Sequence, residues 1–366
     1  MILQENVPLG PLTTLQVGGP ARYFVAAASP HEVREAVDFS TSHHLPLFVL
    51  GGGSNLLVSD AGWPGLVLCI AIPGVLQLEP GRFEVGAGES WDAFVADSVR
   101  QNCAGLECLS GIPGTVGGTP IQNVGAYGQE VATAIVSVHA LDLTSGQFVD
   151  IPKSECNFRY RSSIFNTPVD AGGSPEKSGG RYIVLRVTYQ LTPGGAPCLE
   201  YADLQRRFEG QTPTLAPTLS DTRDAVREIR ARKGMLVDPA DPDSRSAGSF
   251  FKNPLVPVDL YQKLAEQHKI PHWWGGLGLV KLSAAWLVEN AGFPRGFRRG
   301  AAGVSTKHAL ALINVGGATA TEIEGLQAAI VARVQERYGV ALQREPMLVG
   351  DFTAGNSKAE CRATDA

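Results

Sequence analysis

Apolar residues near the start of the chain form short runs that flank one stretch with helical spacing. Val33, Ala36 and Val37 keep that spacing after Ser29-Pro30. Serine is a good N-cap and proline fits the first helical position, so a helix is predicted to begin there and to end near residue 42. The flanking strands are predicted at Arg22–Ala27, Pro46–Leu50 and Leu66–Ile72. This order predicts an α/β or α+β unit in residues 1–72.

The middle of the chain is predicted to be rich in strands. Ser90 can cap a helix with apolar positions at Trp91, Phe94 and Val95, and a low-charge stretch follows from Leu109 to Val131. Residues 167–181 form a polar loop of Gly, Pro and Ser that we expect to be mobile. The predicted strands are Phe83–Gly86, Ile135–Leu143, Phe148–Ile151 and Tyr182–Leu191.

A third part follows the segment 211–219, which is rich in Pro and Thr. Gly339 suits the C-terminal end of its last helix, and the tail after Asp351 has little apolar periodicity. Helices are predicted at about 221–233, 257–268, 282–291 and 320–338, and strands at 309–315 and 341–349.

Composition narrows the class of protein. The chain has 366 residues, of which 44% are hydrophobic and 18% charged, so it can bury a core. Its net charge of −5 does not favour a nucleic-acid partner. No secretory signal is visible, and no apolar run approaches the roughly 18 residues of a membrane helix. The six cysteines lack C-x-x-C and zinc-like spacing, which favours thiols in a cytoplasmic protein without a metal site.

Glycine is over-represented, with 42 residues against about 26 expected at the usual ~7%. One cluster, Gly51-Gly52-Gly53-Ser54-Asn55, follows a predicted strand. Successive backbone N–H groups in such a turn can bind an anion, although an ordinary tight turn has the same pattern. The spacing matches neither a Rossmann fingerprint nor a P-loop.

A second bare segment runs from Ser110 to Gly118, and the amide-rich Gln122–Tyr127 follows it. So many glycines cost backbone entropy, which close approach to a large polar ligand can offset. Two such clusters about 60 residues apart suggest a dinucleotide held by loops of two subdomains, since binding residues concentrate on loops. Two unrelated turns are the alternative.

Four further residues are candidates for chemistry. Arg161 lies in Tyr160-Arg161-Ser162-Ser163, and Ser249 lies between a small pair and two phenylalanines. Glu345 stands in an otherwise apolar terminal segment, where a carboxylate lies at an edge or in a site. His308 precedes an apolar run. The alternative interpretations are that Arg161 is an ordinary surface charge, that Ser249 is a turn residue and that His308 has a structural role.

Together these segments resemble one family, UDP-N-acetylenolpyruvoylglucosamine reductase, also called UDP-N-acetylmuramate dehydrogenase, a flavoenzyme of bacterial peptidoglycan synthesis. The matching segments occur in family order across about residues 12–350. They are TTLQVGGPARYF, LGGGSNLL, GLECLSGIPGTVGGTPIQNVGAYGQE, CNFRYRSSIF, AGSFFKNP, GLVKLSAAWLVENAG, HALALIN and LQREPMLVG.

The resemblance implies an α+β fold of three domains. Two FAD-binding subdomains of the vanillyl-alcohol-oxidase type would span 1–72 and 73–215, and a strand within 340–351 would return to the second. A UDP-sugar domain would span 216–339, and 352–366 would form a tail. The implied protein is a cytoplasmic monomer with non-covalent FAD, NADPH as reductant and UDP-N-acetylglucosamine enolpyruvate as small-molecule substrate.

The family chemistry implies roles for three residues. NADPH reduces FAD, hydride then passes to C3 of the enolpyruvyl group, and an enzyme acid protonates C2. Arg161 and Glu345 match the residues that stabilise the resulting enolate, and Ser249 matches the proton donor.

The resemblance also implies binding residues. The substrate residues are Tyr160, Tyr201, Arg230, Lys233, Asn253 and His308. The cofactor residues are Gly51, Gly52, Gly53, Ser54, Asn55, Leu56, Ser110, Gly111, Ile112, Pro113, Gly114, Thr115, Gly117, Gly118, Gln122, Asn123, Gly125, Ala126, Tyr127 and Val184.

The sequence departs from the family pattern at the terminal motif, Leu342-Gln343-Arg344-Glu345, where the family has L-E-P-E. Y-R-S-S also replaces Y-R-D-S, and His308 stands where some relatives have glutamine.

Two other functions remain open. An oxidase of the same superfold is disfavoured because the glycine-rich blocks hold no His or Cys for covalent flavin attachment. A UDP-sugar-binding regulator without catalysis is disfavoured by the presence of Arg161, Ser249 and Glu345 together.

Overall fold

The computed structural model describes residues 1–166, 180–209 and 216–353. The helices are α1 Pro30–Ser42, α2 Trp91–Arg100, α3 Val131–Ala134, α4 Ala202–Phe208, α5 Leu219–Arg232, α6 Val258–Ala265, α7 Ala284–Asn290 and α8 Ala320–Tyr338. The strands are β1 Gln4–Pro8, β2 Pro20–Ala27, β3 Leu47–Leu50, β4 Leu56–Val58, β5 Trp63–Ile70, β6 Val75–Glu79, β7 Arg82–Gly86, β8 Cys103–Ala104, β9 Gly125–Ala126, β10 Gln129–Glu130, β11 Ile135–Asp142, β12 Gln147–Pro152, β13 Tyr182–Gln190, β14 Thr192–Pro193, β15 Leu255–Pro257, β16 His272–Gly276, β17 Leu279–Leu282, β18 Arg298–Arg299, β19 Ala302–Val304, β20 Leu312–Asn314 and β21 Met347–Val349.

The chain divides into two compact units, each built from separate stretches of sequence. Unit 1 comprises Met1–Val7, Ala21–Gly53 and Pro64–Arg232. Unit 2 comprises Pro8–Pro20, Ser54–Trp63 and Lys233–Ala366. The residues predicted as the first two domains therefore fall mainly in unit 1, and most of the predicted third domain falls in unit 2.

Unit 1 contains two larger sheets besides the two-stranded sheets β10-β9 and β14-β8. One has the strand order β1-β2-β5-β3, with β3 parallel to β5 in the register Leu47 to Leu66. The other is antiparallel with the order β12-β11-β13-β7-β6. Helix α1 begins as predicted, because the Ser29 side chain accepts a hydrogen bond from the Glu32 N–H.

The core of unit 1 lies along the second sheet and helix α2. The α2 residues Trp91, Phe94 and Val95 are buried, at the helical spacing that the sequence shows. Tyr189 of β13 is fully buried, and its hydroxyl lies 3.0 Å from Thr119 Oγ1. The Trp91 indole N–H donates to the Leu109 carbonyl (3.1 Å), so the core holds the chain where the second glycine cluster begins.

Unit 2 contains small sheets and one long helix. Its sheets are β15-β17-β16, β18-β19-β20 and the parallel pair β21-β4. Helix α8 ends at Gly339 in the left-handed conformation, as the sequence predicts, and begins at a capping box between Thr319 and Glu322 that was not predicted. Asp60 accepts bonds from the Ala320 and Thr321 N–H groups at 2.7 and 2.9 Å, which fixes the start of α8.

The structure differs from the sequence prediction in several places, three of which concern the predicted domains and the third part of the chain. The terminal strand β21 pairs with β4 in unit 2, not with a strand of the sheet in residues 73–215, because Met347–Val349 lies in register with Leu56–Val58. Helix α5, predicted to begin the third domain, belongs to unit 1. The hairpin of β16 and β17 was not predicted, since its residues 272–276 bury no side chain and show no apolar alternation.

Some predictions fall outside the description. The predicted mobile loop 167–181 lies outside the described residues except for its last two residues, and so does the tail after residue 353. Among the helices of the described ranges, none is long and apolar enough to cross a membrane.

Candidate active site

Two glycine segments of unit 1 approach each other backbone to backbone. A Cβ added at Gly52 would lie 2.4 Å from the Cα of Gly114, and one at Gly51 would lie 3.2 Å from Thr115 Oγ1. Such a contact with backbone atoms leaves no room for a side chain. We call the segments 51–53 and 110–118 together the glycine cradle.

The glycine cradle has features that fit a polar cofactor such as FAD. Gly53, Gly111 and Gly114 have positive φ, which turns the backbone in ways that other residues rarely adopt. The Thr115 hydroxyl is buried, and no protein atom of the described residues accepts or donates a bond to it. A buried hydroxyl without a partner is costly, so a ligand oxygen or nitrogen at this point would satisfy it. The space at Gly118 is open, with nothing within 4 Å of an added Cβ.

A network of charged residues holds the cradle from the side of helix α5. Asp92 accepts a bond from the Gly111 N–H (2.6 Å), from Arg223 at 2.7 and 3.1 Å, and from Arg227 at 2.7 Å. Burial raises the pKa of Asp92, but the bonds from Arg223 and Gly111 and the charges of Arg223 and Arg227 outweigh it and hold the pKa below its usual value. This network was not predicted from the sequence. Arginines at helical spacing on α5 were visible, but their partner was not.

Arg230 completes the same face of α5. It is 8% exposed, and its Nε donates to the Gly111 carbonyl (3.1 Å). Burial lowers its pKa, while hydrogen bonding to Tyr127 and the charges of Tyr127 and Asp92 oppose the shift. The Tyr127 ring packs edge-on against Tyr201, with centroids 5.2 Å apart. Three predicted residues therefore meet: Arg230, Tyr127 and Tyr201.

The backbone around Arg161 is strained. Arg161 and Tyr127 have φ of 55° and 49°, a region that bulky side chains rarely occupy. Such conformations persist where the surroundings enforce them, often at functional sites. The Arg161 guanidinium donates through Nη2 to the Gly125 carbonyl (3.0 Å) and lies 5.4 Å from the ring centre of Tyr160, which is 52% exposed.

Three of the predicted cofactor residues have side chains that are buried or bonded within the protein. Val184 is only 5% exposed in the core of the antiparallel sheet. Ser110 is fully buried and donates to the Glu107 carbonyl. The Asn123 side chain bonds to three protein groups, so its amide is committed within the protein. The other predicted cofactor side chains and backbones are half-buried: Ser54, Asn55, Leu56, Ile112, Pro113, Gly117, Gln122 and Ala126.

Backbone hydrogen bonds bring Ser249 and Glu345 close in unit 2. The Glu345 N–H donates to the carbonyl of Phe250, the residue after Ser249, at 2.9 Å. The Phe250 N–H in turn donates to the Leu310 carbonyl at 2.7 Å. Asn55 Nδ2 donates to the Glu345 carbonyl (3.3 Å), so part of the first glycine cluster supports the Glu345 segment. Ser249 and Glu345 are both half-buried.

His308 is neutral in this environment. Burial, together with the positive charges of Lys233 and Arg295, lowers its pKa to about 4. Its Nδ1 accepts a bond from the Leu310 N–H at 3.1 Å, which leaves the proton on Nε2. Lys233 and His308 therefore lie near each other, as a shared anionic ligand would require. Asn253 accepts from the Ala284 N–H (3.0 Å) and so supports the start of α7.

Comparisons with known proteins assign the two parts of the chain. Residues 21–151 match the model of an FAD binding domain, and residues 239–349 match the model of the UDP-N-acetylenolpyruvoylglucosamine reductase C-terminal domain. The match and the glycine cradle together define a flavoprotein, in which the cradle residues would hold FAD.

The relatives specify the family. The chain is 43% identical to the UDP-N-acetylenolpyruvoylglucosamine reductase of Thermobifida fusca, over 94% of this chain and 98% of the relative. It is 42% identical to that of Streptomyces coelicolor, over 94% and 90%. The crystal structure of the Thermus caldophilus reductase matches with a TM-score of 0.64 and 28% identity, over 95% of this chain and 100% of that one.

The chain belongs to the UDP-N-acetylenolpyruvoylglucosamine reductase family. It is therefore an FAD-dependent oxidoreductase that reduces an enolpyruvyl UDP-N-acetylglucosamine in peptidoglycan synthesis. This confirms the family, the cofactor FAD and the α+β fold class that the sequence predicted.

Proposed function

We propose that the protein reduces UDP-N-acetylglucosamine enolpyruvate to UDP-N-acetylmuramate with NADPH as the reductant. The observation that carries this proposal is the Arg161 guanidinium, held in a left-handed backbone turn against Gly125, in the same unit as the glycine cradle. Bound FAD, reduced by NADPH, would supply the hydride that adds to C3 of the enolpyruvyl group.

Arg161 is assigned to the substrate carboxylate. Hydride addition at C3 places negative charge on C2 and on the carboxylate. A guanidinium is permanently charged, and its planar fork suits paired hydrogen bonds with a carboxylate. An interaction that strengthens as this charge develops lowers the barrier more than one that binds the ground state.

Ser249 and Glu345 are assigned to proton transfer and to the enolate. Ser249 would donate its hydroxyl proton to C2 and recover a proton from solvent. A serine is a weak acid, so this role needs a strongly basic enolate and a fixed hydroxyl. The backbone bond between Glu345 and Phe250 supports that requirement, because it limits the movement of Ser249 and its neighbours. Glu345 is assigned to the same enolate region.

The UDP part is assigned to the charged and polar residues around His308. The pairing of Lys233 with a neutral His308 suits a diphosphate, because the lysine supplies charge and the His308 Nε2–H supplies a donor. Asn253, Tyr201 and Arg230 are also assigned to the substrate, as the resemblance to the family implies. The cytoplasmic location and the monomeric state stay predictions.

Anaerobic half-reactions test the proposal. With Ser249→Ala, NADPH should bleach the flavin absorbance at the wild-type rate, and the enolpyruvyl substrate should restore it at least about 100-fold more slowly, as expected for the loss of a general acid. Ser220→Ala, an exposed serine on α5, is the matched control and should leave both rates unchanged. Equal loss in both half-reactions would exclude Ser249 as the proton donor. Rapid oxygen consumption without NADPH would favour an oxidase.

A further inference from the structure

Three hydrogen bonds join the loop 121–125 to the turn that carries Arg161, and all of them lie in unit 1. Asn123 Nδ2 donates to the Arg159 carbonyl at 3.2 Å. Ser163 Oγ donates to the Ile121 carbonyl at 2.7 Å. The Arg161 guanidinium donates to the Gly125 carbonyl at 3.0 Å. The turn is therefore attached to the loop on both sides of Arg161 and through the guanidinium itself.

The Asn123 amide is fully engaged by the protein. Besides Arg159, its Nδ2 donates to the Glu130 carboxylate at 2.8 Å, and its Oδ1 accepts from the Ala132 N–H at 3.2 Å. An amide has two N–H donors, so both are used. Asn123 is 1% exposed and has a positive φ of 46°. These contacts assign its side chain to the support of the protein rather than to the cofactor, the role expected from the sequence.

The turn needs this support because it is tight and strained. Arg159 and Ser162 exchange two backbone hydrogen bonds, at 2.9 and 3.1 Å, around Tyr160 and Arg161. Arg161 has a left-handed φ of 55°, which is unfavourable for a residue with a Cβ. The Arg161 carbonyl also accepts a bond from Asn166 (3.3 Å), whose Oδ1 accepts from the Ser163 N–H. A strained turn keeps its conformation only where neighbouring groups over-determine it.

We propose that Asn123 and Ser163 are positioning residues that act through Arg161. They fix the turn 159–162 against the loop 121–125, so that the guanidinium is held ready for a substrate carboxylate. The inference rests on the proposed function, because it takes Arg161 as the carboxylate ligand. It adds to that proposal two residues whose side chains bond to other groups of the protein around this turn.

The test is a double-mutant cycle on the second half-reaction, in which the enolpyruvyl substrate reoxidises the flavin. Asn123→Gly keeps the left-handed backbone and removes the amide, and Ser163→Ala removes the hydroxyl. Each should slow this half-reaction by between about tenfold and a hundredfold, the range that a displacement of about 1 Å can cost. NADPH reduction of the flavin should stay within about twofold of wild type, since it does not use Arg161.

The cycle separates positioning from a general loss of structure. In the Arg161→Ala background, Asn123→Gly and Ser163→Ala should cost nothing further in the second half-reaction, because residues that act through one partner are not additive. Ser162→Ala is the matched control, since the neighbouring hydroxyl is half-buried and no hydrogen bond of its side chain is described in residues 1–166. It should keep the wild-type rate. If Asn123→Gly does not load FAD, Ser163→Ala alone decides the cycle.

The outcomes for the two proposals are distinguishable. If Arg161→Ala leaves the second half-reaction unchanged, the assigned role of Arg161 fails. If Arg161→Ala stalls it while Asn123→Gly and Ser163→Ala keep the wild-type rate, the positioning inference fails and the proposed function stands. Additive effects in the cycle, or equal losses in both half-reactions, would also overturn the inference.

Discussion

The glycine cradle of unit 1 and the Ser249–Glu345 region of unit 2 are shaped by opposite means. The cradle depends on the absence of a side chain, since Gly52 can approach Gly114 only because Gly52 has no Cβ. The Ser249 region gains its form from hydrogen bonds between distant segments, such as Glu345 to Phe250 and Phe250 to Leu310. A cluster of glycines is visible in the sequence, whereas hydrogen bonds between distant segments can be identified only in the folded structure.

The difference also predicts how a substitution affects the stability of each region. A substitution in the cradle introduces atoms where backbone already lies, so the cost is steric and immediate. A substitution in the Ser249 region removes one bond among several, so the cost is smaller and depends on what the lost group supported. The following predictions test this contrast, from the largest expected effect to the smallest.

The largest effect is expected for Gly52→Ala. The added Cβ would lie 2.4 Å from the Gly114 Cα, and neither backbone can yield easily. We expect a loss of about 3 kcal/mol in the free energy of unfolding, at the upper end for overpacking. FAD affinity should fall at least tenfold. Urea unfolding of FAD-stripped protein and fluorescence titration with FAD would measure the two effects.

Gly118→Ala sharpens this prediction. Nothing lies within 4 Å of a Cβ at Gly118, so the stripped protein should keep its stability and only FAD binding should weaken. If Gly52→Ala leaves the stability of the stripped protein unchanged, the cradle is not shaped by contact between the two backbones.

The second prediction concerns His308 and pH. Its folded pKa of about 4 lies below the value of an exposed histidine, about 6.5. Below pH 6.5 the unfolded chain gains a proton that the folded chain does not, so stability falls as the pH drops toward 4. The contribution is about 1.4 kcal/mol per pH unit, on the order of 3 kcal/mol in all.

His308→Gln should remove this dependence. Unfolding free energies measured by urea between pH 7 and pH 4.5 should fall less steeply for the variant than for the wild type. Parallel slopes for the two proteins would contradict the burial of a neutral histidine at this position.

The third prediction separates support from substrate binding at Asn253. Asn253→Ala removes the bond to the Ala284 N–H and should cost about 1 kcal/mol, as for other helix-start side chains. It should also raise the KM for the UDP substrate. Ser283→Ala is the matched control, because Ser283 caps the same helix through the Trp286 N–H. It should cost similar stability, measured by urea unfolding, and leave KM unchanged. A raised KM in both variants would mean that Asn253 acts only through the helix.

The smallest effect is expected for Gly325→Ala. This glycine lies inside helix α8, and an added Cβ meets nothing within 4 Å. Alanine should stabilise the protein by up to about 1 kcal/mol, because glycine is a poor helix former. A rise in thermal midpoint without a change in FAD affinity would check it. A loss of stability would show that glycine is required outside the cradle as well.

The sequence predicted the elements whose ends carry local signals. The start of α1 at Ser29-Pro30 and the end of α8 at Gly339 were predictable because caps act within one turn of the helix. The glycine cradle was readable because its chemistry is the absence of side chains. The resemblance to a family supplied the candidate residues, and their roles stay proposals.

The rest depends on pairings across long stretches of chain. The sequence around Asp92 does not indicate that it will bind Arg223 and Arg227, which lie more than 130 residues later in the chain. The place of β21 beside β4 is likewise a choice of partner, not a property of Met347–Val349 alone. Asn123 was assigned to the cofactor by the resemblance to the family, and only the folded geometry shows its three protein partners.

The bond between Asn55 and Glu345 spans 290 residues and has a consequence for synthesis. Unit 2 uses Pro8–Pro20 and Ser54–Trp63, which leave the ribosome early, together with the stretch after Lys233. Domains generally fold as they emerge, so unit 1 can assemble before these early segments have their partners. Strand β4 then has an unpaired edge until Met347–Val349 has been synthesised and can pair with it. A nascent chain stalled before that point would carry a folded cradle and an unpaired strand edge, which is open to pairing with another chain.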